Sequence, residues 1–267
     1  MAMPLPFRSA LVTGASSGIG AAMAQLLAGV GVDLVLVARS AEKLETLAAE
    51  LREGHGVSVD VLPADLSDPA GMKKVETRLA DDSRPLDLLV NNAAGGMFGK
   101  FAELDADDST RLVTLNAIAP MRLTRAALPG MIQRERGWVL IVSSLGALQP
   151  APLFAVYTAT KAFLTNFSES VHEEVRDSSV VVTVAMPGFT KTAMGDQTGV
   201  ADSGAGALLW DSPENVARIA LTACALGRAT IVPGTLNSAI ATTSKLSPRG
   251  LMRRLSGMTT GRMSANS

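Results

Sequence analysis

The chain has 267 residues, of which 47% are hydrophobic, and its formal net charge is −1. This length predicts one large α/β domain or two small ones, and the near-neutral charge gives no global field that would attract nucleic acid. A single cysteine, Cys224, excludes an internal disulfide. The two histidines, His55 and His172, lie far apart in sequence, so we expect no metal site of the His/Cys type.

No run of about 18 apolar residues, the length that spans a bilayer, occurs in the chain. The first residues, "MAMPLPFRSA", lack the charged and then apolar layout of a signal peptide. We therefore expect a cytoplasmic protein.

Short apolar runs alternate with helical stretches along most of the chain. The opening "SALVTGASSGIGAAMAQLLAGVGVDLVLVARS" has the pattern strand, turn, helix, strand, which is the parallel unit of a doubly wound sheet. Further strands are predicted at "VSVDVLP", "PLDLLVNNA", "GWVLIVSS", "SVVVTVAMPG" and "RATIVPG". Continuous Val, Leu and Ile runs are typical of strands buried on both faces. We predict one α/β domain over residues 1–267, with a parallel sheet of about seven strands.

Two segments depart from this rhythm. Residues 188–212 are rich in Gly, Ala and Thr, and their length and weak periodicity predict a lid. The tail, about 235–267, follows the last predicted strand.

A glycine-rich turn, "TGASSGIG", joins the first strand to the first helix. Gly14 would permit the sharp turn, Gly18 would let a pyrophosphate approach the backbone, and Gly20 would allow close packing of helix on strand. The free N–H groups at the helix start would form the anion site. The pattern alone is weak evidence, because glycine turns often precede helices.

The end of the second strand, "LVLVARS", indicates which cofactor the turn would take. An NAD site would place a carboxylate here for the ribose 2′-hydroxyl, but Ala38 stands there and Arg39 follows. A guanidinium can hold a 2′-phosphate with two hydrogen bonds. We expect NADP(H) to be preferred, with NAD(H) and a merely solvated Arg39 as the alternatives.

Tyr157 is the only tyrosine in the chain, and Lys161 follows four residues later, on the same face of a predicted helix. A free phenol has a pKa of about 10 and is a poor base at neutral pH, and a nearby ammonium would lower that pKa. The pair is therefore a candidate acid–base catalyst for exchange between an alcohol and a carbonyl. Ser143 and Ser144 end the fifth predicted strand, at the edge where such sheets bind ligands.

Taken in this order and spacing, the motifs resemble the classical short-chain dehydrogenase/reductase family over about residues 8–233. The motifs are "TGASSGIG", "NNAAG", the region of Asn116, "VSS", "YTATK" and "PGFTKT". The resemblance implies a single Rossmann-type domain that binds NAD(P)(H) and interconverts carbonyls and alcohols without a metal. It also implies a homo-oligomer, tetramer or dimer, with the helices near 104–135 and 154–177 as interface candidates.

The same resemblance implies the site residues. Tyr157 would be the general acid/base, Lys161 would lower its pKa and hold the nicotinamide ribose, Ser144 would orient the substrate oxygen, and Asn116 would complete the tetrad. The implied cofactor contacts are Gly14, Ser16, Ser17, Gly18, Ile19, Gly20, Arg39, Asp65, Asn91, Ala93, Tyr157, Lys161, Pro187, Gly188, Thr190 and Thr192. Two departures from the family pattern are Ala94, where glycine is common, and Ser17, where many NADP-preferring members have a basic residue.

Asn116 can also be interpreted without the family. It lies in a helical stretch with Pro120 four residues later, and proline has no N–H to donate to the Asn116 carbonyl. A buried free carbonyl needs a partner, and a water there could link Lys161 to solvent. The alternative is a simple kink in the helix.

An apolar substrate pocket is a further expectation, suited to a lipid-like, steroid-like or aromatic carbonyl. Its candidate residues are Met97, Phe98, Leu148, Phe154, Met194 and Trp210. The same residues could instead cover the cofactor.

Two other functions stay open: a protein that senses NAD(P) without turnover, and an epimerase or dehydratase of the extended type, although little chain follows the seventh strand for its usual substrate domain.

The end of the chain is basic. After Glu214 there is no acidic residue but seven basic ones, and "SPRGLMRRLSGMTTGRM" predicts a basic amphipathic helix. Such a helix is typical of a segment that lies on a membrane surface or covers an anionic ligand such as an acyl carrier, and we predict weak contact with an anionic membrane surface. The alternative is a solvated or partner-packed tail.

Overall fold

A computed structural model of the chain describes residues 5–191 and 210–246, together with Gly250. Within them, seven parallel strands form one sheet in the order β3-β2-β1-β4-β5-β6-β7. The strands are β1 Ser9–Thr13, β2 Asp33–Ala38, β3 Val59–Pro63, β4 Leu88–Asn91, β5 Gly137–Val142, β6 Val180–Ala185 and β7 Thr230–Ile231. The prediction of a doubly wound parallel sheet of about seven strands is confirmed.

Helices connect the strands, and their ends follow from capping residues. The Ser40 side chain accepts a hydrogen bond from the Lys43 N–H at the start of α2, and Gly56 ends that helix in the left-handed conformation. The helices are α1 Gly18–Ala28, α2 Ala41–His55, α3 Pro69–Leu79, α4 Ala106–Val113, α5 Ala119–Gln133, α6 Ala155–Glu174, α7 Pro213–Ala225 and α8 Thr235–Leu246.

The core consists of two apolar layers, one on each face of the sheet. Successive residues of a strand point to opposite faces of the sheet. Val12 packs in the layer on one face, here called the first layer, and Leu11 packs in the second layer on the other face. Leucines from the helices α1, α2 and α7 complete the first layer, and residues of α3, α5 and α6 complete the second. Because both faces are covered, the strands are mostly continuous apolar runs rather than alternating apolar and polar residues.

The strand order positions the functional site. β1 lies between β2 and β4, so the chain changes direction across the sheet at the β1–β4 boundary. In such sheets the crevice for a ligand opens beyond the carboxyl ends of the strands at this point. The glycine turn after β1 and the segment after β4 therefore border the same crevice.

Some elements differ from the sequence predictions. The helix expected over 104–135 is interrupted by a π turn at Thr114–Ile118, which directly precedes α5, and Pro120 is the second residue of α5. Helix α8 was not predicted, and it occupies the first part of the tail. The central part of the expected lid and the basic amphipathic helix lie outside the described residues. Among the described residues, no helix combines the length and apolar character needed to cross a bilayer.

Candidate active site

The structure brings Ser144, Tyr157 and Lys161 together beyond the carboxyl end of β5. Helix α6 carries Tyr157 and Lys161 on one side, with the Lys161 Nζ 5.7 Å from the centre of the Tyr157 ring. The Ser144 and Tyr157 side chains form a hydrogen bond. Gly146 lies against both, since a Cβ atom there would be 3.5 Å from the Ser144 Oγ and 3.8 Å from the Tyr157 ring.

The Ser144 hydroxyl is oriented by its own loop. Its Oγ accepts a hydrogen bond of 3.1 Å from the backbone N–H of Gly146. A hydroxyl has one proton to donate and two lone pairs. Because the Gly146 N–H occupies a lone pair, the Ser144 proton is free to point toward the phenol or a substrate oxygen.

Lys161 is buried, and its ammonium has one hydrogen bond to the protein among the described residues, of 2.9 Å to the Val142 carbonyl. Burial disfavours the charged form and lowers the pKa of Lys161 from 10.5 to about 8. The Lys161 ammonium therefore loses its proton about one pH unit above neutral.

The pKa of Tyr157 differs from our expectation. We expected Lys161 to lower it, but burial raises the pKa of the phenol above its ordinary value of 10, and the hydrogen bond with Ser144, not Lys161, is what opposes the rise. The reason is that desolvation penalises a phenolate in the protein interior. The phenol is therefore protonated at neutral pH and suited to donate its proton.

Asn116 lies in the π turn, and both the oxygen and the nitrogen of its side-chain amide form hydrogen bonds. The Oδ1 accepts a hydrogen bond of 2.8 Å from the Gly95 N–H, and the Nδ2 donates to the Gly95 carbonyl at 3.0 Å and toward the Thr160 hydroxyl at 3.4 Å. Asn116 thereby joins the π turn to the loop after β4 and to α6. A water on its backbone carbonyl stays a prediction.

The glycine turn is tightly closed and suits a pyrophosphate. Gly14 and Gly18 have φ angles of 66° and 56°, which favour glycine. A Cβ atom at Gly20 would lie 2.2 Å from the Gly14 carbonyl oxygen, so a side chain cannot fit. Ser16 lies in the same turn, and Ile19 is the second residue of α1. Ser17 precedes α1 in an extended conformation without a side-chain cap, which leaves the first N–H groups of α1 for an anion.

Two residues that we did not single out from the sequence hold this turn in place. The Thr13 hydroxyl accepts hydrogen bonds from the N–H groups of Asn92 and Ala93 and donates to the Val90 carbonyl. The Asn92 side chain donates to the Thr13 carbonyl at 3.0 Å and to the Gly14 carbonyl at 3.3 Å. These bonds connect the ends of β1 and β4, and no local sequence pattern reveals them.

Arg39 and Asp65 follow the neighbouring strands β2 and β3, and the charge of Arg39 acts on the Asp65 carboxylate. Arg39 follows β2, is exposed, and forms no hydrogen bond or ion pair with the rest of the described chain. Burial alone would raise the pKa of Asp65, but hydrogen bonds from Ser67 and the charges of Arg39 and Arg111 bring the net pKa below its ordinary value. Asp65 is thus an anion with a free guanidinium nearby.

The remaining expected cofactor residues follow β4 and β6. Asn91 is buried: its Nδ2 donates to the Thr124 hydroxyl, and its Oδ1 has no hydrogen-bond partner within the described residues. The Pro187 carbonyl accepts from the Leu145 N–H, and the Thr190 hydroxyl donates to the Gly188 carbonyl. Asn237 of α8, which the sequence did not indicate, packs against Gly188. Thr192 lies outside the described residues.

Several of the expected pocket residues form aromatic pairs. The Phe98 and Phe154 rings are 4.9 Å apart, and the Phe189 and Trp210 rings are 5.8 Å apart. The Met97 sulfur lies 3.6 Å from the Ser109 hydroxyl. Leu148 is partly buried, and Met194 lies outside the described residues. The described ranges contain no cluster of side chains suited to a metal ion.

Comparison with known proteins decides the family. Residues 8–202 match the family model described as short chain dehydrogenase, which is well over half of the chain. The protein belongs to the short-chain dehydrogenase family. The match covers the glycine turn, Asn116, Ser144, Tyr157 and Lys161, as the resemblance of the motifs predicted.

Individual members of the family are moderately similar. The chain is 35% identical over 191 residues to the very-long-chain 3-oxoacyl-CoA reductase of Bos taurus, an alignment over 69% of this chain and 60% of that protein. The chain therefore spans about 60% of the length of this curated relative. Among solved structures, a short-chain dehydrogenase from Sphingobium yanoikuyae in complex with NADPH is 34% identical, with a TM-score of 0.79 over 96% of this chain and 95% of that one.

A second solved structure is the bulky-bulky ketone specific alcohol dehydrogenase from Comamonas testosteroni. It is 30% identical, and the TM-score is 0.77 over 94% of each chain. Both structures cover nearly the whole chain, so the likeness extends beyond the residues that match the family model.

Proposed function

We propose that the protein is an oxidoreductase that interconverts a carbonyl and a secondary alcohol on an apolar substrate, with NADP(H) as the preferred cofactor. The observation that carries this proposal is the meeting of Ser144, Tyr157 and Lys161 beside the β1–β4 crevice. A bound nicotinamide supplies or accepts the hydride. Family membership supports the reaction class.

The side chains have separate roles in this reaction. In the reducing direction the Tyr157 phenol gives its proton to the substrate oxygen as negative charge develops there. The Ser144 hydroxyl, held by the Gly146 N–H, donates a hydrogen bond to the same oxygen. The Ser144 hydroxyl also opposes the rise of the Tyr157 pKa and so stabilises the phenolate that is left, while the Lys161 Nζ lies 5.7 Å from the ring centre.

The NADP(H) preference rests on Arg39 and Ala38. An exposed guanidinium without an ion pair among the described residues follows β2, where a carboxylate would bind an NAD ribose. The Sphingobium yanoikuyae neighbour, which was solved with NADPH, supports this choice by analogy.

The apolar substrate is inferred from the aromatic pairs at the site and from the relatives. The relatives' names point to two substrate types, a long-chain 3-oxoacyl thioester and a ketone with two bulky groups. Both present a reacting carbonyl with at least one large group beside it. An intact Ser144–Tyr157 pair favours turnover over pure NAD(P) sensing, since a sensor needs no proton donor.

We also propose a homo-oligomer, from an exposed apolar surface on the helices named in the sequence analysis. Val113 of α4, Ile118 of the π turn and Phe163 of α6 are 38%, 37% and 41% exposed. A second copy that covered them would remove apolar area from water. Light scattering should give a mass above 27.6 kDa per particle, and a monomer at micromolar concentration would contradict the proposal.

The test of the reaction is an absorbance assay of NADPH and NADH with a panel of 3-oxoacyl thioesters and ketones. We expect Tyr157→Phe to lower turnover on any good substrate at least about a hundredfold, the low end for loss of a general acid. NADPH binding and melting temperature should change little, because the ring is retained. A variant with near-normal turnover would contradict the catalytic role, and NADPH binding without turnover on any substrate would favour a sensor.

A further inference from the structure

A strained contact between two loops lies at the start of the helix that carries Tyr157. Leu153 has a φ of 69°, and the only other non-glycine residue with positive φ among the described residues is Glu135. A positive φ is unfavourable for a bulky side chain and persists only where neighbouring contacts hold it. Leu153 therefore marks a segment whose shape is fixed by its surroundings.

The holding contact comes from the loop after β4. The Leu153 carbonyl accepts a hydrogen bond of 2.9 Å from the N–H of Gly99. Gly99 has a φ of 151°, and a Cβ atom there would lie 3.0 Å from the Leu104 side chain. Gly99 thus adopts a conformation that is open to glycine, whereas Leu153 adopts one that is unfavourable for leucine.

The two residues next to this bond form an aromatic pair. The Phe98 and Phe154 ring centres are 4.9 Å apart with an angle of 55° between the planes. This geometry is favourable for aromatic side chains. Phe98 is 39% exposed, so the pair presents part of its surface to solvent.

The pair lies close to the reacting groups along the chain. Phe154 immediately precedes α6, and its carbonyl accepts a hydrogen bond of 2.9 Å from the Thr158 N–H, one residue after Tyr157. The two loops follow β4 and β5, which are neighbours in the sheet, and Ser144 is the second residue of the loop after β5.

We propose that Phe98 and Phe154 form an aromatic wall that recognises a bulky apolar group beside the reacting carbonyl, and that the Gly99–Leu153 hydrogen bond positions this wall. The inference rests on the proposed carbonyl–alcohol activity and adds the residues that determine its specificity. The wall acts on the choice of substrate, whereas proton transfer depends on Tyr157.

The first experiment compares acetophenone, which has a bulky ring, with 2-butanone, which is small. In Phe98→Ala we expect kcat/KM for acetophenone to fall at least about tenfold, the range for loss of part of an apolar pocket, and kcat/KM for 2-butanone to stay within about twofold. Phe101→Ala is the matched control, since Phe101 lies in the same loop and is 67% exposed. If kcat/KM of Phe98→Ala fell equally for both ketones, or for neither, the proposed role of the aromatic wall would be wrong.

The second experiment tests the positioning bond through its strained partner. Leu153→Ile keeps the volume but introduces a β-branched residue, which tolerates positive φ poorly, whereas Leu153→Asn tolerates it well. We expect the ratio of kcat/KM for acetophenone to kcat/KM for 2-butanone to fall in Leu153→Ile and to be retained in Leu153→Asn. The melting temperature of Leu153→Asn should be at least that of wild type. The opposite order would show that the leucine side chain, not the backbone, matters.

A binding measurement separates this inference from the proposed activity. If wild type oxidises no NADPH with either ketone, the activity proposal fails for these substrates. Saturation-transfer NMR of acetophenone with the protein and NADP⁺ then tests the wall alone. Signal in wild type and Phe101→Ala that is lost in Phe98→Ala supports it, and equal signal in all three, or none in wild type, overturns it.

Discussion

The buried hydroxyl of Ser143 donates a hydrogen bond of 2.8 Å to the backbone carbonyl of Lys161. The same hydroxyl lies 2.9 Å from the hydroxyl of Thr165. Ser143 therefore fastens the end of β5 to α6, while its neighbour Ser144 directs its hydroxyl toward Gly146 and Tyr157. Two consecutive serines thus serve the fold and the candidate chemistry separately.

Alanine substitutions should separate these two roles. Ser144→Ala removes a donor to the substrate oxygen, and we expect turnover to fall by about a hundredfold or more with little change in melting temperature. Ser143→Ala removes the hydrogen bond to the Lys161 carbonyl, which keeps its bond from the Thr165 hydroxyl, and should cost about 0.5–1.5 kcal/mol of the free energy of unfolding, with turnover kept within about tenfold. Steady-state kinetics and thermal melting of both variants provide the check. A larger loss of turnover in Ser143→Ala would contradict the assignment.

Because the glycine turn is tightly closed, the single methyl group added by Gly20→Ala should strongly weaken NADPH binding. Gly20→Ala would place a Cβ atom 2.2 Å from the Gly14 carbonyl, so the turn must open and the N–H groups of α1 must shift. We expect the NADPH dissociation constant to rise at least about tenfold, the equivalent of roughly 1.4 kcal/mol, and the melting temperature to fall. Fluorescence titration and thermal melting measure both.

Gly54→Ala is the matched control for this substitution. Gly54 lies in α2, and a Cβ atom there meets no heavy atom within 4 Å. Alanine is a better helix former than glycine by about 1 kcal/mol, so stability should be unchanged or increased and NADPH binding unchanged. Normal NADPH affinity in Gly20→Ala would contradict the expected geometry of the turn.

Burial of Lys161 predicts a pH-dependent stability. Because its pKa falls from 10.5 to about 8 on folding, the unfolded chain binds more protons at this site between these values, and wild-type stability gains with rising pH. The full shift corresponds to about 3 kcal/mol. Lys161→Met removes this titration, so its melting temperature relative to wild type should be highest near pH 7 and decline by pH 9.5.

Scanning fluorimetry across this pH range checks the effect, and Lys43→Met serves as the control because Lys43 is exposed on α2. The control should keep a constant difference from wild type. A constant difference for Lys161→Met as well would show that the buried lysine does not change its charge in this window.

The cofactor preference predicts the result of a double substitution. In Ala38→Asp with Arg39→Ala, a carboxylate replaces the guanidinium at the end of β2, which should favour a ribose 2′-hydroxyl over a 2′-phosphate. Loss of a hydrogen bond to a charged group costs about 1.5–3 kcal/mol, so NADPH should bind roughly 10–100-fold more weakly and NADH more tightly.

Dissociation constants for both cofactors, measured by fluorescence, decide this prediction. Arg176→Ala is the control, since Arg176 is an exposed arginine that pairs with Glu173 beyond the end of α6. It should leave both constants unchanged. Equal constants for NADPH and NADH in wild type would refute the preference itself.

The sequence predicted the sheet well because its signal is local. Buried parallel strands are continuous apolar runs, and every predicted run contains a strand, including the two-residue strand β7. The π turn before Pro120 and helix α8 were missed. A proline indicates that the ladder of hydrogen bonds changes but not how, and the Ser- and Thr-rich sequence of α8 has only a weak helical signal.

The site was predictable in its residue types but not in its long-range contacts. The spacing of Tyr157 and Lys161 follows from the helix, and their proximity is what the sequence led us to expect. The direction of the Tyr157 pKa was wrong because burial depends on the packing of distant loops. The bonds from Asn92 to Thr13 and Gly14 span nearly 80 residues, and no local pattern contains them.

That separation between Thr13 and Asn92 has a consequence for how the protein folds. The first three strands pair with neighbours close in sequence, whereas β1 pairs with β4 only after a long loop has closed. Loop closure of this kind is slow relative to local pairing. On the ribosome, the glycine turn emerges well before the residues that hold it in place. A nucleotide that binds only the closed turn selects molecules that have completed this step, and its binding adds to their free energy of unfolding.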